Sequence, residues 1–440
     1  MKYEISDEVL IERLVGRVEN GNTFILKEIG KTIGLIRNLT PTRAYQLQQM
    51  IKYGASYQTI IERLSKITNI NLNEIDKIFE NYAKKDYQFA KKFYDYKGIE
   101  YIPFENFTLL NQQVKALSRM TKIAYTNLSN TSAIGFTIKD AFGNVRFKNI
   151  SDAYQYVVDQ AILSISQGKD TFDHQMESIL KDLGSGVKVL DYQSGRTRRL
   201  DSALRMNLRG GLRQLHNEVQ SILGESFGAD GIEITVHEHP APDHEDAQGK
   251  QFTIDEFNKL QKIGVAMTYD RERINMHYEW KTKEAMTVSF RPISQYNCYH
   301  NVRYIVLRVN KPQYTDKELD EIKYRNQKGF DYEGKHYSLY EGTQLQRKIE
   351  TEIRKQKDIQ IIGKEANNNL VVLEAQDKIT QLTDKYRELS KISGLPTKMQ
   401  RTRVTGYHRK ATGYRKVKTL WFFIKLLYNI FGGVLWKKRK

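Results

Sequence analysis

Five of the nine histidines lie between His237 and His300, and the only cysteine, Cys298, sits among them. They form two short clusters, His-Glu-His-Pro-Ala-Pro-Asp-His at 237–244 and Cys-Tyr-His at 298–300. Imidazole nitrogen and thiolate sulfur are the ligands zinc prefers, so His237, His244, Cys298 and His300 are candidate metal ligands. The same residues have a metal-free use, in which the histidines hydrogen-bond loop backbone and tie two loops together. Neither HExxH nor CxxC occurs, and the spacing leaves both readings open. Asp243, Glu245 and Asp246 offer carboxylates of the kind that hold Mg²⁺, but loop carboxylates are commonly just solvated. The glycine pairs at 184–186 and 210–211 lack the GxxxxGK(S/T) and GxGxxG frames, and GxSxG is absent, so no phosphate loop or nucleophile elbow is expected. A single cysteine excludes an intramolecular disulfide framework.

For the clusters to meet, two loops must lie at one end of neighbouring strands. The run GIEITVHEH predicts a strand with Ile232, Ile234 and Val236 on one face, and a second β-rich stretch runs from Ala285 to Val309. Helix prevails elsewhere. Residues 1–100 read as short helices, with Ile60, Leu64 and Ile67, then Leu72, Ile75, Ile78 and Phe79, at helical spacing. Thr40 before Pro41 suits a helix start and Gly54 a stop. AIGFTIKDAFGNVRF predicts a hairpin turning at Gly143–Asn144. Asp201 suits an N-cap for a helix whose stripe is Leu204, Leu208, Leu212, Leu215, Val219 and Ile222, with Arg205, Arg209 and Arg213 ranked beside it and facing outward. Gly210–Gly211 within it predicts a kink or a close approach to a neighbour. Leu345, Ile349 and Ile353, then Ile379, Leu382, Tyr386 and Leu389, predict a helical hairpin.

The fold class expected is α+β and predominantly helical. Its parts are an N-terminal helical array at 1–130, a central small mixed α+β domain at 131–311, a C-terminal helical hairpin at 312–393, a basic arm at 394–418 and an apolar C-terminal helix at 419–440. With 40% hydrophobic and 28% charged residues, the 440-residue chain is neither wholly disordered nor a polytopic membrane protein. The start, MKYEISDEVLIERL, lacks the apolar core of a signal peptide, which predicts a cytoplasmic beginning.

The net charge is +18, and most of it falls at the end. Thirteen cations and no acid lie between Gly394 and Lys440, leaving a surplus of five for the rest. Such blocks bind polyanions by releasing counterions, which makes Lys398, Arg401, Arg403, Arg409, Lys410, Arg415, Lys416 and Lys418 candidate DNA contacts. The interleaved Tyr407, His408 and Tyr414 suit stacking on bases; the plainer alternative is a solvated tail. Residues 419–436 are apolar on nearly every helical face between cationic flanks, which suits a membrane surface or an apolar protein groove.

Several stretches in order carry a family resemblance. His237, Pro242, His244, Gln248 and Gly249 make one element, and Asn297, Cys298 and His300 a second. Tyr337, Tyr340, Gln344, Gln346, Arg347, Glu350, Ile353 and Arg354 make a third, and DYQSGRTRRLDSALR at 191–205 precedes them. Together they resemble the phage minor capsid protein 2 family, related to the phage Mu protein F-like head morphogenesis proteins, over roughly residues 1–406. Ala241 stands where the family commonly has an arginine before the proline. The resemblance implies a structural virion component of tailed phages, present in few copies, and establishes no enzymatic activity, so none is expected. It also implies association with the portal protein, contact with packaged double-stranded DNA and with major capsid or scaffold proteins, and passage through the host cytoplasm during assembly. No cofactor is expected, with zinc the exception that the His/Cys clusters leave open. The residues' own alternative is a zinc-dependent hydrolase or nuclease built on the His/Cys loops.

Overall fold

The computed structural model describes residues 8–38, 55–129, 133–140, 143–165, 169–190, 195–281, 286–294 and 298–408. Among them helix dominates and the strands gather into several small antiparallel sheets, a predominantly helical α+β fold.

The short helices expected at the start are instead two long ones, α1 (Glu8–Arg37) and α2 (Ala55–Lys97). The reason is local: no glycine or proline interrupts residues 55–97, so each turn propagates the next. Thr40, Pro41 and Gly54 lie outside the described residues. With α3 (Thr108–Leu128) and α6 (Leu200–Phe227), these helices enclose the main core, where Leu14, Ile25, Leu26, Phe79, Phe93 and Tyr125 are fully buried. Gly211 of α6 makes the close approach that its glycine pair predicts. A Cβ there would stand 2.2 Å from Thr121 Oγ1 on α3, whereas at Gly210 it would meet nothing within 4 Å.

The 134–149 hairpin forms as β1 (Ile134–Lys139) and β2 (Val145–Asn149), with Gly135 opposite Asn149 and Lys139 opposite Val145. It extends through β3 (Lys188–Leu190) to β4 (Thr197–Arg199) in the order β2-β1-β3-β4. The helices α4 (Ile150–Ile165) and α5 (Lys169–Leu183) pack against β1. Asp201 is not the cap of α6: the helix starts at Leu200, with Arg199 at the N-cap, and Asp201 is buried in its first turn among arginines.

A second core surrounds a three-stranded sheet in the order β11-β5-β6, with β5 (Gly231–Ile234), β6 (Gln251–Thr253) and β11 (Val302–Ile305) all antiparallel. Ile232, Ile234 and Phe252 are fully buried, with Phe257 and Leu260 of α7 (Ile254–Ile263) beside them. Val302 lies opposite Ile234, so the loop leaving β5 and the segment entering β11 share one end of the sheet. Two further hairpins follow, β7 (Val265–Met267) with β8 (Arg273–Asn275) and β9 (Tyr278–Lys281) with β10 (Met286–Ser289).

Beyond the sheet come α8 (Asp316–Lys328), a small hairpin of β12 (Phe330–Tyr332) and β13 (Lys335–Tyr337), and the expected helical hairpin of α9 (Leu339–Glu365) and α10 (Asn369–Ser393). Capping boxes, Thr315 with Glu318 and Ser338 with Glu341, start α8 and α9. Residues 394–408 of the basic arm pack back on the body. Leu395, Thr402 and Val404 are buried, Thr23 Oγ1 donates to the Thr405 carbonyl, and Lys357 Nζ donates to the Thr402 carbonyl. Arg409, Lys410, Arg415, Lys416, Lys418 and the apolar segment 419–436 lie outside the described residues. Among the described residues no helix is long and apolar enough to cross a membrane.

Candidate functional site

The loop after β5 doubles back through a single 3-10 turn, Pro242–His244. Asp243, fully buried in that turn, accepts two hydrogen bonds from the Arg291 guanidinium, at 2.8 Å from Nε and 2.6 Å from Nη2. This pair pins the turn to the segment before Cys298 and drives the His244 ring inward.

His244, Cys298 and His300 converge there. Their ligand atoms all lie within 4.8 Å of one another, and all three residues are buried. Cys298 Sγ is 3.5 Å from His244 Nδ1 and 3.5 Å from His300 Nδ1, and it accepts from the Ser294 N–H at 3.3 Å. The outer ring nitrogens face oxygens: His244 Nε2 lies 2.7 Å from the Arg291 carbonyl, and His300 Nε2 lies 3.2 Å from Gln248 Oε1. Gln248 Oε1 also accepts the His237 backbone N–H at 3.0 Å, which identifies it as the amide oxygen. Burial opposes ionisation of the Cys298 thiol, but the two imidazoles outweigh it and bring the thiol down to about 5. Burial would depress His244, yet Cys298 and Asp243 leave it raised.

His237, the fourth candidate ligand, stands off. Its ring is 6.1 Å from that of His300 and 5.3 Å from that of Tyr299, and its Nδ1 accepts the His239 N–H at 3.1 Å. Burial, then the neighbouring His300, push it down to about 3. It borders a cavity of about 370 Å³ that Ala241, His244, Arg291, Cys298 and Arg347 also line.

A second cleft, of about 280 Å³, shares Tyr299 and Arg347 with the first. Six arginines line it: Arg205, Arg209, Arg213, Arg347, Arg354 and Arg401; Glu350 is the one acidic residue on its wall. Here the expected outward arginine row is corrected. Arg205, Arg209 and Arg213 are half-buried and line a trough whose other wall carries Arg347, Glu350, Thr351 and Arg354 of α9. At the floor, Arg205 forms a two-point pair with Glu12, and Arg354 pairs with Asp201, which also holds Arg199 at 3.0 Å. Tyr299 OH lies 3.3 Å from Arg209 Nη1 and 3.2 Å from Arg347 Nη2, and both guanidinium groups also approach its ring.

The third family element supports this wall from behind. Gln346 Nε2 donates to Ser390 Oγ, Glu350 accepts from Tyr386 OH at 2.7 Å, and Gln344 lines the His/Cys cavity. Gly249 adopts a φ of 73°, and a Cβ there would lie 2.6 Å from Leu319. Of the basic-arm residues, Arg401 reaches the arginine cleft, Arg403 is exposed and Lys398 is half-buried. Asn297 is outside the described residues. Sequence reasoning missed Tyr299, Arg291 and His216. His216 is buried, with Nδ1 2.6 Å from Asp86 Oδ2 and Nε2 2.7 Å from the Val302 carbonyl, and so ties α2 and α6 to the strand that follows His300. A lone histidine on an otherwise leucine-rich stripe was the one available signal.

The phage minor capsid protein 2 model matches residues 9–391, and the chain belongs to that family. No curated protein and no solved structure matches it.

Proposed function

We propose that this minor capsid protein stands at the portal of a tailed-phage virion and contacts packaged double-stranded DNA. The carrying observation is the arginine trough, six guanidinium groups against one carboxylate on its wall, with Arg401 joining it to the cationic stretch that continues to Lys440. Two of the six are held by carboxylates at the floor, which preorganises the trough. Phosphates suit such a surface because guanidinium groups grip them in a fork and each phosphate bound releases a counterion. Family membership supports a structural role in the virion.

The test is DNA binding across a salt series by the full chain and by a variant with Arg409, Lys410, Arg415, Lys416 and Lys418 changed to glutamine. Residues 394–408 are left intact because they are packed. Each phosphate no longer neutralised should flatten the slope of log K against log salt by about 0.9, so the full set of five flattens it by up to about 4.5. Arg209→Gln should add to this. An unchanged slope in both variants removes DNA from the account, and failure to co-purify with the portal protein removes the location.

A further inference from the structure

We infer that His244, Cys298 and His300 form a three-ligand zinc site whose fourth coordination position opens onto the adjoining cavity. The protons of the site can be counted. The Arg291 carbonyl can only accept, so His244 Nε2 must donate to it; Gln248 Oε1 is already fixed as an acceptor, so His300 Nε2 must donate as well. Each neutral ring then turns a bare lone pair at Nδ1 toward the same sulfur. Sulfur and the two nitrogens then share a single proton: whether it stays on the thiol or passes to one ring, it satisfies one of those lone pairs, and the other is left facing sulfur in a buried site. A single divalent cation satisfies both nitrogens and the thiolate together.

The sulfur–nitrogen distances agree. Zinc bonds of about 2.3 Å to sulfur and about 2.0–2.1 Å to nitrogen, at tetrahedral angles, separate sulfur from nitrogen by about 3.5 Å. Both pairs stand at 3.5 Å. The outer hydrogen bonds are also those of metal-bound histidines, each ring donating its far N–H to a fixed oxygen. Two nitrogens and one sulfur favour zinc over the oxygen-seeking Mg²⁺ and Ca²⁺. His237 is no ligand here, since its Nδ1 is taken by the His239 N–H. With three protein ligands and a cavity bordered by Arg291 and Arg347, the fourth ligand is an exchangeable water or anion.

Full-length protein purified without chelator should retain one zinc per chain. Replacement by cobalt should give a sulfur-to-metal charge-transfer band with tetrahedral ligand-field absorption, a readout that needs no variant. Cys298→Ser should abolish the band, and Gln248→Ala, which touches no ligand atom, should weaken zinc binding about 10–100-fold with the helical circular dichroism intact. Zinc should also protect Cys298 from iodoacetamide. The inference is overturned if folded, cobalt-loaded protein shows no charge-transfer band, if Cys298→Ser binds zinc as tightly, or if alkylation is as fast with zinc as without. The last result would mark Cys298 as a reactive thiolate paired with histidine.

Discussion

Glu19 lies under the arginine trough, 3.6 Å from Arg354 Nη1 and with its side chain 16% exposed. An arginine that close ordinarily lowers a carboxyl, yet Glu19 is raised from 4.5 to about 7. Burial is the larger cause, and the Asp201 carboxylate adds to it; Arg354 opposes both but is already engaged by Asp201. The native state therefore keeps a proton that the unfolded chain releases near 4.5. Folding stability from this group is full below about pH 4.5 and falls as pH rises toward 7, because there the native state binds more protons than the unfolded one. The span from 4.5 to about 7 corresponds to a loss of about 3 kcal/mol. Glu19→Gln keeps the shape and hydrogen-bonding capacity of the protonated acid without the titration. The variant should match the parent at about pH 4.5 and exceed it at about pH 8 by roughly 1–3 kcal/mol, the lower figure allowing for the lost attraction to Arg354. Urea unfolding of both proteins at the two pH values measures the difference directly. If the two stabilities move in parallel between those pH values, Glu19 is not protonated in the native state and the burial argument is wrong.

His216→Leu should destabilise the protein by roughly 3–5 kcal/mol, because Asp86 is left as a buried, unpaired carboxylate. Replacing Asp86 with leucine as well should recover part of that loss, which a double-mutant cycle by chemical denaturation would read. Gly211→Ala should cost about 1–3 kcal/mol through the clash with Thr121. Gly210→Ala, one residue away in open space, should gain up to about 1 kcal/mol, and thermal melts that rank the two alike would contradict the packing of α3 on α6.

Much of the local structure was legible along the chain. The hairpin at 134–149 follows from β-prone runs around Gly143–Asn144, and the buried side of α6 follows from its leucines at helical spacing. The helix lengths at the start were not legible in the apolar spacing, because gaps in that spacing do not end a helix that has no breaker residue. Asp201 had the chemistry of a cap, but three arginines drew it into the interior.

The sequence by itself determined which residues can bind metal, where positive charge accumulates, and which face of each helix is apolar. Only the tertiary structure decided what each face meets. Cys298 reaches His244 across 54 positions because β11 pairs with β5, and Arg205 reaches Glu12 across 193 because α1 packs on α6. The row of arginines becomes a trough instead of a solvated edge only where Arg347, Glu350 and Arg354 of α9 supply the facing wall. Periodicity records the direction in which a side chain leaves its own backbone. It carries no information about which distant segment closes over it, since that choice depends on how all the buried surfaces fit together.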